Sequence, residues 1–162
     1  MRILITFYLI GCILAKSYAQ VDMESLFGPR IGATLITGEF AQKLDEKYNA
    51  KPIISQFGWQ FEWRFFNTQK GVTGIVEVIP LIGGVEQNLF VPSISSLVGL
   101  RYKNGFEVGI GPNASLTGFG IVFAVGTTIK TGEINWPINL AFVPSTKGAR
   151  FTLLFGFNIA KD

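Results

Sequence analysis

The stretch SQFGWQFEWRFF, residues 55 to 66, places Phe57, Trp59, Phe61, Trp63 and Phe65 at every second position, with Gly58, Gln60, Glu62 and Arg64 between them. Successive side chains of a strand point to opposite faces, so this segment predicts a strand with one aromatic face and one polar face. The question it sets is which face lies inside. An aromatic core means a soluble protein, whereas an aromatic exterior means a membrane barrel.

The same period-2 alternation recurs in eight segments, at about 29–37, 54–66, 72–82, 94–102, 106–112, 118–130, 133–143 and 150–159. Two turns fix pairings. Lys103-Asn104-Gly105 suits a three-residue hairpin ending in a left-handed glycine, which sets Leu100 opposite Val108 and Arg101 opposite Glu107. Thr131-Gly132, read as a two-residue loop, pairs Lys130 with Glu133 and Ile129 with Ile134. Short polar turns join segments two–three, four–five and six–seven. Longer connections, at 38–53 and 83–93, follow segments one and three, and medium ones follow five and seven. Short turns on one rim and longer loops on the other predict an all-β fold: an eight-stranded antiparallel up-and-down transmembrane β-barrel.

The face opposite the aromatics carries Gly32, Gly58, Gly99, Gly109, Gly111, Gly120, Gly126 and Gly156. So many glycines would weaken a solvated sheet face, but a narrow eight-stranded lumen has room for little else. The charges on that face, Arg30, Glu62, Arg64, Glu77, Arg101, Glu107 and Arg150, are therefore expected to pair across a plugged polar lumen. Phe57, Trp59, Phe61, Trp63, Phe65 and Trp136 are expected to face lipid. Trp59, Trp63, Tyr102 and Trp136 are the candidates for interfacial girdles. Pro80 and Pro137 inside strands call for bulges or missing ladder bonds.

Residues 1–19 have a basic start, an apolar run and small residues at Ser17 and Ala19, the pattern of a cleaved secretory signal. Leu9-Ile10-Gly11-Cys12 offers an alternative, a lipoprotein box acylated at Cys12. Cleavage after Ala19 makes residues 20–162 one domain without cysteine. It also removes Arg2 and Lys16 from the 14 basic residues, leaving 12 against 11 acidic. That near-neutral balance, with no Lys/Arg cluster, argues against a nucleic-acid partner. The signal ending Ser-Tyr-Ala-Gln, the eight segments and the terminal Leu153-Leu154-Phe155-Gly156-Phe157-Asn158-Ile159 resemble a small outer-membrane barrel of Gram-negative bacteria. The size resembles the OmpA/OmpX type and the flavour is that of Bacteroidetes barrels. The chain departs from many such barrels in ending on Ala160-Lys161-Asp162 rather than on an aromatic residue. The resemblance implies an integral outer-membrane location with both termini periplasmic.

Chemistry is sparse. The chain has no histidine, which removes the usual general base and the commonest metal ligand. No residue cluster has metal-ligand spacing, so neither metal nor cofactor is expected. The loops hold the remaining candidates. Phe40, Leu44 and Tyr48 form one apolar stripe on a short helix predicted over 39–50, between Gly38 and Pro52. Leu89, Phe90 and Val91 form an apolar triplet in the second long loop. The helix serves as a cap on the barrel mouth or as a docking surface for another protein, and the triplet packs on that helix or presents a partner site. Met23 to Phe27 reads as part of an N-terminal tail, a disordered leader or a periplasmic contact. With so little mass outside the barrel, the expected role is a non-enzymatic structural or accessory subunit of a larger envelope complex in secretion, uptake or barrel assembly, with outer-membrane lipid and other envelope proteins as partners. The alternatives are a soluble secreted ligand-binding barrel, with the aromatic face lining a pocket, and a small pore.

Overall fold

The structure, a computed structural model, describes residues 25–132 and 134–160. The expected signal segment, the Cys12 alternative and Glu133 lie outside the described residues. The strands are β1 (Ser25–Ile36), β2 (Ile53–Asn67), β3 (Val72–Gly83), β4 (Val91–Tyr102), β5 (Phe106–Ser115), β6 (Gly118–Thr131), β7 (Ile134–Val143), β8 (Arg150–Gly156) and the short β9 (Asn158–Ala160). One helix, α1 (Gly38–Tyr48), lies in the first long connection. From β1 to β8 each strand pairs antiparallel with the next in sequence, and β9 pairs with β7 and β1. β1 closes the sheet by pairing with β2 on one side and with β8 and β9 on the other. The result is a closed up-and-down barrel of eight staves, the last made of β8 and β9, and it leaves no free sheet edge.

The break in the last stave has a cause in proline. Continuing the register through Phe157 would set it opposite Pro29 on β1, with Trp136 and Pro137 opposite Phe157 and Gly156 on β7. Neither proline has an N–H to donate to the ladder. Pro80 acts in the same way. The β2–β3 register passes from Gly58–Leu81 to Phe61–Val78 without the two pairs between, as expected for a missing ladder bond. The one register shift in that pair is a bulge between Arg64 and Phe66. Beyond it Phe65 and Phe66 both lie outside, 5.0 Å apart edge to face, over Gly74.

Three expectations change in detail. The β6–β7 hairpin pairs Thr131 with Ile134, Lys130 with Asn135 and Ile129 with Trp136, a slip of two residues from the expected register. Gly132, at φ 62°, opens the turn; a slip of two leaves every side chain on its expected face. The fifth segment runs on to Ser115, so only Leu116 and Thr117 separate β5 from β6. Asn113-Ala114-Ser115 carries no strong apolar alternation and concealed that extension. Ser25 to Phe27 are not a tail but the start of β1. Phe27 packs on Phe61 and Trp63 at ring distances of 5.6 and 6.4 Å, which leaves those two aromatics only partly exposed.

The outer wall answers the opening question. Phe57, Trp59, Ile110, Phe123, Trp136, Leu140 and Phe155 are each 44–52 % exposed, and no outward position of the described staves carries a charge. Trp63, Tyr102 and Trp136 lie near the short turns, whereas Trp59 sits mid-stave, away from a girdle. The inward glycines have a second reason beyond a narrow lumen. A Cβ on Gly111 would sit 1.8 Å from the Ser96 carbonyl oxygen, and one on Gly32 would sit 1.9 Å from that of Leu153. Adjacent staves approach too closely there for any side chain, as strongly coiled barrel strands require.

Candidate functional site in the lumen and at the long-loop end

The half of the lumen near the short turns holds a charge belt. Arg101 on β4 grips Glu62 on β2 with two parallel bonds of 2.6 Å and meets Glu107 on β5 at 2.7 Å. One guanidinium thus holds two carboxylates in the bidentate geometry that arginine favours. Gln60 links this pair to the rest. Its oxygen accepts from Arg30 Nε at 2.8 Å, and its amide donates to Glu77 and, at 3.4 Å, to Glu62. Asn139 on β7 donates to Glu107 over Gly126 of the intervening β6. Arg30 and Glu62 are fully buried, and Glu77, Arg101 and Glu107 nearly so. Arg64 lies at the edge of the belt, 3.7 Å from Glu62 with its side chain 25 % exposed.

Arg150 does not belong to this network. It sits in the other half of the lumen and donates to Ser115 and, at 2.8 Å, to Asn113, which in turn donates to Ser95. β8 starts at the long-loop rim with Arg150, so its first inward residue is far along the stave from the belt. The lumen is also not polar throughout. Ile79, Leu81, Leu97, Val122, Val143 and Leu154 form a buried apolar cluster above the belt. Around it lies a cavity of about 70 Å³, with Glu77 and Asn139 at its base and Arg150, Thr34 and Thr152 towards the mouth. Gln60 and this cluster were the parts that alternation left without a role. Small aliphatics at inward parity are the signal that would have found the cluster.

At the long-loop end, α1 begins at Gly38 (φ 65°) and ends at Asn49 in the left-handed conformation (φ 50°). It is tied to the last loop by the Thr37 and Phe40 N–H groups, which donate to Ala149 and Lys147 carbonyls at 3.0 and 3.2 Å. That close approach needs Gly148, where a Cβ would lie 1.8 Å from the Thr37 oxygen. No residue of α1 is buried, so the helix rests on the rim rather than filling the mouth. The second long loop is stitched to β2. Gln87 donates to the Ile53 carbonyl at 2.8 Å, and Glu86 accepts from the Ser55 N–H at 2.8 Å and from the Ser55 hydroxyl. Slight desolvation raises the Glu86 pKa, but these bonds and one from Gln87 outweigh it and hold the carboxyl down at about 2. The two predicted apolar stretches meet: Phe40, Leu44 and Tyr48 from α1 and Leu89, Phe90 and Val91 from the loop line one groove of about 540 Å³. Ile36 and Leu116 complete its apolar lining.

No family model and no curated protein sequence matches the chain. A crystal structure of Ail, the attachment invasion locus protein of Yersinia pestis, in complex with the heparin analogue sucrose octasulfate, does match in fold. It covers 85 % of this chain and 97 % of Ail at a TM-score of 0.54 and 9 % identity. A second Ail structure covers 84 % and 97 % at 11 % identity, with a TM-score of 0.35 that carries no weight. The barrel has the fold of Ail. At 9 % identity the likeness to Ail extends to fold alone, so the sites above rest on this chain's own residues. Among those described, no group of three or more His, Cys, Asp or Glu side chains is placed to hold a metal ion.

Proposed function

We propose that this chain is an integral outer-membrane protein of a Gram-negative bacterium, related in size to the OmpA/OmpX type and Bacteroidetes in origin. Its lumen is plugged, it is not an enzyme, and it serves as an accessory subunit of a larger envelope assembly. The observation that carries the reading is the outer wall, a closed band of half-exposed aromatic and aliphatic side chains without a charge at any described outward position. Such a surface is costly in water and matched to hydrocarbon. It disfavours the soluble binding barrel, and the Arg101 belt together with the apolar cluster disfavours a pore. Both described ends of the chain lie on the short-turn rim, which this reading places in the periplasm. The accessory role draws support from how little of the described chain lies outside the barrel, one helix and a few loops gathered at the long-loop end. A polysulfated ligand like that of Ail finds less support. At this end Lys43, Lys47, Lys51 and Lys147 are balanced by Glu39, Asp45, Glu46 and Glu86.

The test is an epitope inserted between Asn88 and Leu89 in a membrane-fractionated, intact-cell labelling experiment. The protein should remain with detergent-extracted outer membranes and the epitope should be reachable from outside. Recovery as a soluble periplasmic monomer would end the membrane reading. Elution always alone from mild detergent would end the accessory one.

A further inference from the structure

The groove at the long-loop end is the size of a small-molecule site rather than a protein interface, within the roughly 300–1,000 Å³ range of such clefts. Its walls are apolar, and its two charged lining residues are Lys43 and Lys47, one helical turn apart on α1. No carboxylate lines it: Asp45 lies on the far side of the helix, Glu39 and Glu46 neighbour Lys43 along the helix but stay outside the lining, and Glu86 is engaged by Ser55. Among the described residues neither lysine has an ion pair, and the Lys47 ammonium lies 5.2 Å from the Tyr48 ring centre. The groove opens beside the top of the outer wall. There Leu116 is 69 % and Phe119 94 % exposed, the most exposed large apolar side chains described. At its inner end it shares Ile36, Val91 and Thr117 with the cavity of the lumen.

We propose that this groove holds a single acyl chain carrying an anionic head group, taken from the surrounding leaflet. The chain lies between Leu44 and Leu89, with its end directed towards Ile36 and Val91. Lys43 and Lys47 rest their alkyl stems on it and place their ammonium groups on the head. A protein segment is the competing occupant. Charge and dimensions favour the lipid, because two unpaired cations beside an apolar slot match one anionic amphiphile. The proposal rests on the membrane placement above, and its test keeps the two apart.

The test uses the full-length barrel in phosphatidylcholine nanodiscs with a photoactivatable palmitate and, separately, the matching alcohol. Adducts are mapped by mass spectrometry. Palmitate should label peptides from 36–48 and 84–91 well above the alcohol. The double variant Lys43→Gln/Lys47→Gln should lower that labelling by about fivefold, the size two partly exposed charge pairs supply. Leu44→Trp, which fills the slot, should lower labelling by both probes. Labelling of the β7 peptide 134–143 reports the membrane wall and should be the same in all variants; its absence would refute the membrane placement alone. Equal groove labelling by acid and alcohol, or no change in the lysine variant with folding intact by circular dichroism, would overturn the proposal. So would cross-linking of the groove to a protein in whole envelopes when the purified barrel takes up no palmitate.

Discussion

Beside the short turns, the lumen is filled by Arg101 gripping Glu62 and Glu107. Beside the long loops, it is filled by Leu81, Leu97, Val122, Val143 and Leu154 around a cavity of about 70 Å³. The two halves fill the same narrow barrel with opposite chemistry. In the polar half each carboxylate of the belt meets a donor from another stave and the bonds cross-link β1, β2, β3, β4, β5 and β7, with the belt atoms Arg30 Nη2 and Asn139 Oδ1 left without a hydrogen-bond partner among the described residues. The apolar half is held by shape, and shape leaves a void. The difference teaches that closure and specificity come from the belt. Tolerance to change, and room for anything entering from the groove, belong to the cluster.

The sharpest way to break this contrast is Arg101→Met. It leaves Glu62 and Glu107 as buried carboxylates without their cation, a loss of about 3–5 kcal/mol. Denaturant unfolding in detergent micelles should show it as a large fall in midpoint. Adding Glu62→Gln and Glu107→Gln to the same chain should recover most of the loss, since the two carboxylates that Arg101 held are then neutral and Arg30 and Glu77 remain as one charge of each sign, both bonded to Gln60. A loss below about 1 kcal/mol for the single variant would mean that water reaches the belt and the lumen is not sealed there.

Leu97→Ala tests the other half. Leu97 is 2 % exposed and lines the existing cavity, so the variant enlarges a void that is already present. The expected cost is about 2–4 kcal/mol, within the range of buried leucine truncations. Planar-bilayer recordings should stay silent, because the belt below still closes the path. Conductance in Leu97→Ala would show that the apolar cluster, not the belt, is the seal.

Much of this arrangement was legible in the residues. Alternation in SQFGWQFEWRFF and its seven companions identified the staves and their faces, because a period of two is a geometric property of strands that barrel closure does not alter. Arg101 and Glu107 were paired correctly because a three-residue turn fixes a local register. The helix over Gly38–Tyr48 followed from a stripe and its bounding residues. What escaped depended on long-range placement. Arg150 carries the same charge and inward parity as Arg101, yet it sits at the opposite end of the lumen, because height within a barrel depends on stave offset rather than on parity. Packing of the Leu89–Val91 triplet on the helix was one of its two expected roles, and the groove that joins Leu44 to Leu89 decides between them only through long-range placement.

The smallest expected effect lies at the rim, where Glu86 ties the second long loop to β2. Its pKa in the folded protein is lowered to about 2 from an ordinary value of 4.5, chiefly because the Ser55 bonds to the charged form outweigh slight desolvation. A lowered folded value means the contribution is present in full above pH 4.5 and is lost as pH falls from 4.5 through about 2. The group is exposed, so screening keeps the effect on global unfolding small. It should be visible locally. The Ser55 amide, which donates to Glu86 at 2.8 Å, should lose hydrogen-exchange protection across that window in the wild-type protein and have little pH-dependent protection in Glu86→Gln. The Arg101–Glu62 belt should be insensitive to Glu86→Gln. Coupled loss of protection at both places would mean that the loop and the belt open as one unit. The contrast between a rigid lower half and an adaptable upper end would then fail.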